Sequence, residues 1–179
     1  MKIVIAAATF LWISALSAQT MLIRVTSVQP EGWHSTLPSG VGLSCTTDYD
    51  PQQCLASATA LAKVLERYPT GKLGSWTFVL AASAHWKQTV KALGGDTESP
   101  AFTELGAHVT VLEDTLFENR GSRKELLARR FGLTTGDILD FAVTHEMGHA
   151  ICNEHNERLA DEYGLDLRKG ISPVCGNIR

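Results

Sequence analysis

The side chains best suited to chemistry stand together in the C-terminal third of the chain, as His145-Glu146-Met147-Gly148-His149. On an α-helix, positions i and i+4 share a face one turn apart. Both imidazoles can then meet one tetrahedral Zn2+ at roughly 2.0–2.1 Å. Glu146, next to the first histidine, is placed to reach a water on the metal rather than the metal itself. Phe141, Ala142 and Val143 precede the motif and Ala150 and Ile151 follow it, so the helix should be largely buried. Burying unpartnered imidazoles and a carboxylate is costly, and a cation removes that cost. The chemistry implied is metal-assisted hydrolysis. The metal brings the pKa of its water to roughly 7, and Glu146 takes the proton and later returns it to the leaving amine. Five residues alone also occur as a satisfied pair of core histidines, so the continuation of the chain decides more.

A zinc hydrolase needs a third protein ligand and one open position. Asn153 to Asp161 supplies three candidates. Glu157 opens the next helix, with Asp161 one i+4 step along the same face. Glu157 can bind the metal while Asp161 accepts a hydrogen bond from the ring N–H of a ligand histidine. His155 is the second candidate and Glu154 the third.

The H-E-x-x-H motif followed by Glu157-x-x-Ala160-Asp161 resembles the gluzincin metallopeptidases, most of all the M48-type branch and its minimal soluble relatives. The similarity spans about Ala142 to Gly164. It implies His145, His149 and Glu157 as zinc ligands, Glu146 as general base and Asp161 as the partner of a ligand histidine. It also implies an extended peptide or protein substrate laid along an edge strand, for which His108–Leu112 is the candidate by order. The gap from His149 to Glu157 is shorter than is usual for gluzincins. It demands a tight turn at Cys152–His155, with Asn153 as its left-handed residue. The metzincin pattern would instead put the third ligand at His155. In that pattern Cys152 stands where a turn glycine is needed, and no Met follows Met147 to form the turn beneath the metal. Glu157 is therefore favoured.

Other elements must hold this segment in place. Lys2, the apolar run Ile3–Ile13 and the small residues Ser14–Ala18 have the three-part form of a signal peptide cut after Ala18. The expected organisation is thus residues 1–18 as signal and 19–179 as one metallopeptidase-like domain, secreted or periplasmic. Export permits disulfides, and the four cysteines are expected to pair as Cys45–Cys54 and Cys152–Cys175. With 16 basic residues against 19 acidic ones, the chain lacks the basic excess of a nucleic-acid binder. No further run is long enough for a membrane span, and a monomer is expected.

Hydrophobic spacing predicts a strand at Met21–Val28 and a loop over Pro30–Pro51. Helices follow at Gln52–Tyr68 and from Ser83 through Leu93, with a buried strand at Trp76–Ala82 between them. Short strands follow at Ala101–Leu105 and His108–Leu112, the second with the alternation of an edge strand. A helical stretch over Asp114–Phe131 breaks near Gly121-Ser122. Thr134 or Thr135 then caps a helix over Gly136–Cys152, and a last helix runs over Asn156–Lys169. The fold class is α+β, a small mixed sheet packed on helices. Arg120, Arg123, Lys124, Arg129 and Arg130 read as a solvated face. His34, His85 and His108 read as isolated histidines, and Trp33, Trp76 and Trp86 as packing residues. A second functional class remains open, an exported binding or structural module that a zinc site merely stabilises. Glu146 favours the enzyme, since a structural site has no need of it. A segment over Gln19–Gly40 that covers the cleft until removed is a further possibility.

Overall fold

A computed structural model describes residues 34–176 apart from Leu93 and Arg120. The expected signal peptide, the expected strand at Met21–Val28, Trp33 and Arg120 lie outside the described residues. Five strands form one mixed sheet in the order β1-β2-β3-β5-β4. They are β1 (His34–Thr36), β2 (Gly42–Cys45), β3 (Thr77–Ala81), β4 (Ala101–Glu104) and β5 (Val109–Glu113). The helices are α1 (Pro51–Leu65), α2 (Ser83–Ala92), α3 (Ser122–Phe131), α4 (Ile138–Cys152) and α5 (Glu157–Arg168). The protein is α+β. Among the described residues no helix is long and apolar enough to cross a membrane.

The centre of the sheet is parallel, β2 with β3 and β3 with β5, while β1 and β4 run antiparallel at the two edges. Parallel strands need crossover connections, which cover the faces of the sheet and call for apolar side chains on both. The run Phe78-Val79-Leu80-Ala81 meets this need by alternation. Phe78 and Leu80 join the main core with Leu61 and Leu65 of α1 and Val143 and Met147 of α4. Val79 and Ala81 face the other way, onto Trp86 and Val90 of α2. Burying a large apolar side chain fully contributes about 1.5–3 kcal/mol, so these interleaved residues hold the helices to the sheet.

Two disulfides join Cys45 to Cys54 and Cys152 to Cys175. The first ties the end of β2 to the first turn of α1. The second ties the last residue of α4 to the C-terminal tail. Asp50 caps α1, its carboxylate accepting from the backbone N–H groups of Gln52 and Gln53.

Several sequence expectations need correction. The segment Pro30–Pro51 is not only a loop, since β1 and β2 lie within it. Gly42 and Ser44 disguise β2, whose pairing to β3 is a long-range contact with no local signature. His108–Leu112 is not an edge strand. Residues 109–113 form β5, buried throughout and flanked by β3 and β4. Its alternation reflects two packed faces rather than one wet face. The edge beside α4 belongs to β4. The basic stretch is not wholly solvated either. Lys124 is buried, and its Nζ donates to the carbonyls of Leu116 and Glu118 at 2.9 and 2.7 Å. Burial holds its pKa below the usual lysine value. Arg123 donates to Glu113 at 2.6 Å, and Arg129 and Arg130 are exposed. Ser83 opens α2 but spends its hydroxyl on Asp114. Thr134 holds the turn before α4 by donating to Asp137 at 2.6 Å.

Candidate metal centre

Helix α4 carries His145, Glu146 and His149, and α5 carries Glu157 and Asp161. The turn between them is tight because Asn153 takes the left-handed conformation, φ 48°. Asn156 then caps α5, its side chain accepting from Leu159 N–H. Two glycines let the helices close on each other. A Cβ on Gly148 would lie 2.6 Å from the Ala160 carbonyl, and one on Gly164 would lie 2.9 Å from the Thr144 carbonyl. Both distances are too short for a real side chain, so only glycine permits this approach. Across it, Arg168 donates to Thr144 Oγ1 at 2.5 Å. Glu157 and Asp161 are thereby brought beside the two histidines. Each glycine stands on the helix face that bears the site residues, a local signal of close helix approach that sequence alone does not make specific.

The donor atoms converge. His145 Nε2 lies 3.0 Å from Glu157 Oε2 and 3.1 Å from His149 Nε2. His149 Nε2 lies 3.5 Å from Glu157 Oε2. A point equidistant from the three atoms is about 1.9 Å from each, close to the roughly 2.0–2.1 Å that Zn2+ takes to nitrogen or oxygen. The far ring nitrogens are already occupied. His149 Nδ1 lies 2.6 Å from the Glu154 carbonyl oxygen. A carbonyl only accepts, so Nδ1 carries the proton and Nε2 presents a lone pair. His145 Nδ1 lies 2.8 Å from Asp161 Oδ1 and donates to that carboxylate, which frees its own Nε2 in the same way. With both rings in the neutral form, three lone-pair donors then face one another. The residues therefore fit a divalent cation. Among the described residues His145, His149 and Glu157 are the one group able to hold such an ion.

His155 lines the same cleft but does not belong to this trio. Glu154 acts through its backbone carbonyl, while its carboxylate accepts from Asn156 N–H at 2.8 Å. Tyr163 is buried on another face of α5, its hydroxyl accepting from Gly176 N–H. His85 pairs with Asp48 and His108 stacks on Trp76, and neither lines the cleft.

Glu146 is 4% exposed. Burial pushes its carboxyl above the usual range, opposed by the neighbouring histidines and a Thr103 hydrogen bond and reinforced by Glu157. A carboxylate with a raised proton affinity is the stronger base. The centre opens onto a cleft of about 610 Å3. Its walls include Phe102, Thr103 and Glu104 near the sheet edge and Phe131, Ile138 and Phe141 ahead of the motif. Glu157 is 78% exposed, so one side of the trio faces the open cleft. An ion pair that exposed adds little stability by itself, which leaves ligation as the more consequential role for Glu157.

No protein-family model, curated protein or solved structure matches this chain.

Proposed function

We propose that this protein is an exported zinc-dependent metallopeptidase of gluzincin type, in which His145, His149 and Glu157 hold the metal and Glu146 is the general base. The observation that carries the reading is the meeting of His145 Nε2, His149 Nε2 and Glu157 Oε2 within 3.5 Å, with both Nδ1 atoms engaged elsewhere. Bound there, Zn2+ supplies a Lewis acid that acidifies water and polarises a carbonyl. Asp161 and the Glu154 carbonyl fix the ring orientations, as outer partners of metal-binding histidines do. Glu146, one residue from His145 and lining the cleft, takes a proton from water on its carboxylate and returns it to the departing amine. The substrate is a peptide or unfolded protein in extended form, paired to the β4 edge rather than to β5. The two disulfides and the signal-like N-terminal sequence support a secreted or periplasmic setting.

The test is cleavage of an unstructured protein by the zinc-loaded chain, alone and as Glu146→Gln. Cleavage by the parent, lost in the variant while zinc stays bound, supports the peptidase. Retained zinc with no cleavage of any peptide by the parent would mark the site as a stabilising one in a binding module.

A further inference from the structure

The cleft beside the metal centre has two walls of different chemistry. One is aromatic. The Phe131 and Phe141 ring centroids lie 5.0 Å apart, and Phe141 stacks on His145 at 6.3 Å. All three residues line the cleft. Phe131 is 40% exposed, although it is a large apolar side chain. The row therefore runs from solvent to a ring of the metal centre. An apolar side chain laid along it removes that surface from water and sits beside the centre.

The other wall is acidic. Six carboxylates line the cleft, against one guanidinium, that of Arg130. Glu146, Glu157 and Asp161 belong to the centre, where a bound cation offsets them. Asp96, Glu104 and Glu154 stand outside it. A backbone N–H holds each in place. Asp96 accepts from Glu98 at 2.9 Å, Glu104 from Gly106 at 3.3 Å and Glu154 from Asn156 at 2.8 Å. None of the three is ion-paired among the described residues. They are positioned without being neutralised. Strand geometry explains where two of them stand. Along β4, Thr103 turns its hydroxyl to Thr110 at 2.7 Å, so its neighbours Phe102 and Glu104 take the opposite face. Gly95 lies against the Phe102 ring, where a Cβ would come within 2.6 Å. That contact brings the adjacent Asp96 to the same side. Arg130 stands at the aromatic end instead, 5.6 Å over the Phe131 ring.

We propose that the cleft selects cationic peptide segments in which a lysine or arginine adjoins a large apolar residue. The apolar side chain lies on the Phe131–Phe141 row, and the basic one meets Glu104 and Asp96 at the β4 wall. An extended segment sends successive side chains to opposite sides, so one such pair of neighbours serves both walls. Carboxylates gathered in a cleft focus a negative potential that attracts cations. An acidic side chain brought to the same wall meets like charge and is rejected. Turnover of such a segment rests on the peptidase reading. Its recognition by the two walls does not.

The experiment compares peptides of one length that differ at two adjacent positions, Phe or Ala at the first and Lys or Glu at the second. Binding is read by fluorescence anisotropy on the full disulfide-bonded Glu146→Gln protein loaded with zinc, and turnover on the zinc-loaded parent. The Phe-Lys peptide is expected to bind and to be cleaved about ten- to a hundred-fold better than Phe-Glu at low salt. The gap should close toward about 0.5 M NaCl. Glu104→Lys should shrink the charge preference several-fold and leave the preference for Phe over Ala, while Phe131→Ala does the reverse. Asp96→Lys, at an exposed position, is the second charge reversal should Glu104→Lys fail to fold. Equal affinity for the Lys and Glu peptides, or tighter binding of Glu, overturns the proposal. So does a charge preference that folded charge-reversal variants leave unmoved. Cleavage of both peptides at equal rates leaves the peptidase standing without this selectivity. A parent that cleaves no peptide refutes the peptidase, and the anisotropy still decides the selectivity.

Discussion

Two of the places where acidic and basic side chains meet differ in how far the chain itself satisfies them. At the end of β5, Glu113 is 3% exposed and accepts from Arg123 Nε at 2.6 Å. Donor meets acceptor, positive meets negative, and the pair closes on itself. Between α4 and α5, two imidazole Nε2 atoms and a carboxylate oxygen converge within 3.5 Å of one another. The first meets charge with charge within the chain, although the second guanidinium nitrogen, Arg123 Nη2, is buried without a hydrogen-bond partner. The second could hold a cation, and its exposed side faces the cleft. Proximity of charged groups says little about function; the balance of donors and acceptors says more.

The contrast is broken most severely at Glu146. Glu146→Gln is expected to lower kcat about 10²–10⁴-fold while zinc affinity changes little, measured by peptide hydrolysis and by metal titration. Glu157→Gln should weaken zinc binding more than Asp161→Asn does. Asp161→Asn itself should cost about 10- to 100-fold, because it loosens the ring that presents His145 Nε2. At the closed pair the readouts exchange. Arg123→Ala leaves Glu113 buried without its partner and should destabilise the fold by about 3 kcal/mol in urea unfolding, with zinc affinity unaltered.

How much of this was legible without coordinates follows from the range of each interaction. The i+4 spacing of His145 with His149, and of Glu157 with Asp161, is local, so both faces could be read directly. The left-handed Asn153 and the two disulfide pairings were legible for the same reason, from short spans of chain. Strand order was not. Nothing in residues 109–113 announces that β4 folds back to cover their edge. The burial of Lys124 is not legible in a helix sequence, which does not show the two carbonyls that accept from its Nζ. Gly148 and Gly164 were passed over although they set the distance between the site helices, since a glycine's meaning depends on what lies opposite. Thr103 and Thr110 meet only through strand register.

Smaller effects sharpen the comparison further. Burial raises the Glu113 pKa despite the opposing Arg123 hydrogen bond and charge. A folded-state pKa above the unfolded one means the folded chain holds the extra proton. The stabilisation is then complete below the unfolded value, roughly 4.3, and is lost as pH rises through the folded one. Urea unfolding should therefore show the parent's stability relative to Glu113→Gln to be greater near pH 4 than near pH 7. A difference that grows with pH instead would mean that Arg123 dominates the burial. The smallest change is expected from His155→Ala, which should weaken zinc binding less than Asp161→Asn, since His155 stands in the cleft but outside the trio.

X-ray absorption at the zinc edge, on the chain loaded with one equivalent of Zn2+, reaches the central claim most directly. The expected spectrum is that of one ion with two imidazole nitrogens and oxygen ligands at about 2.0–2.1 Å, with an oxygen environment altered in Glu157→Gln and unchanged in His155→Ala. Three imidazoles in the parent spectrum, or no zinc retained at that stoichiometry, would contradict it.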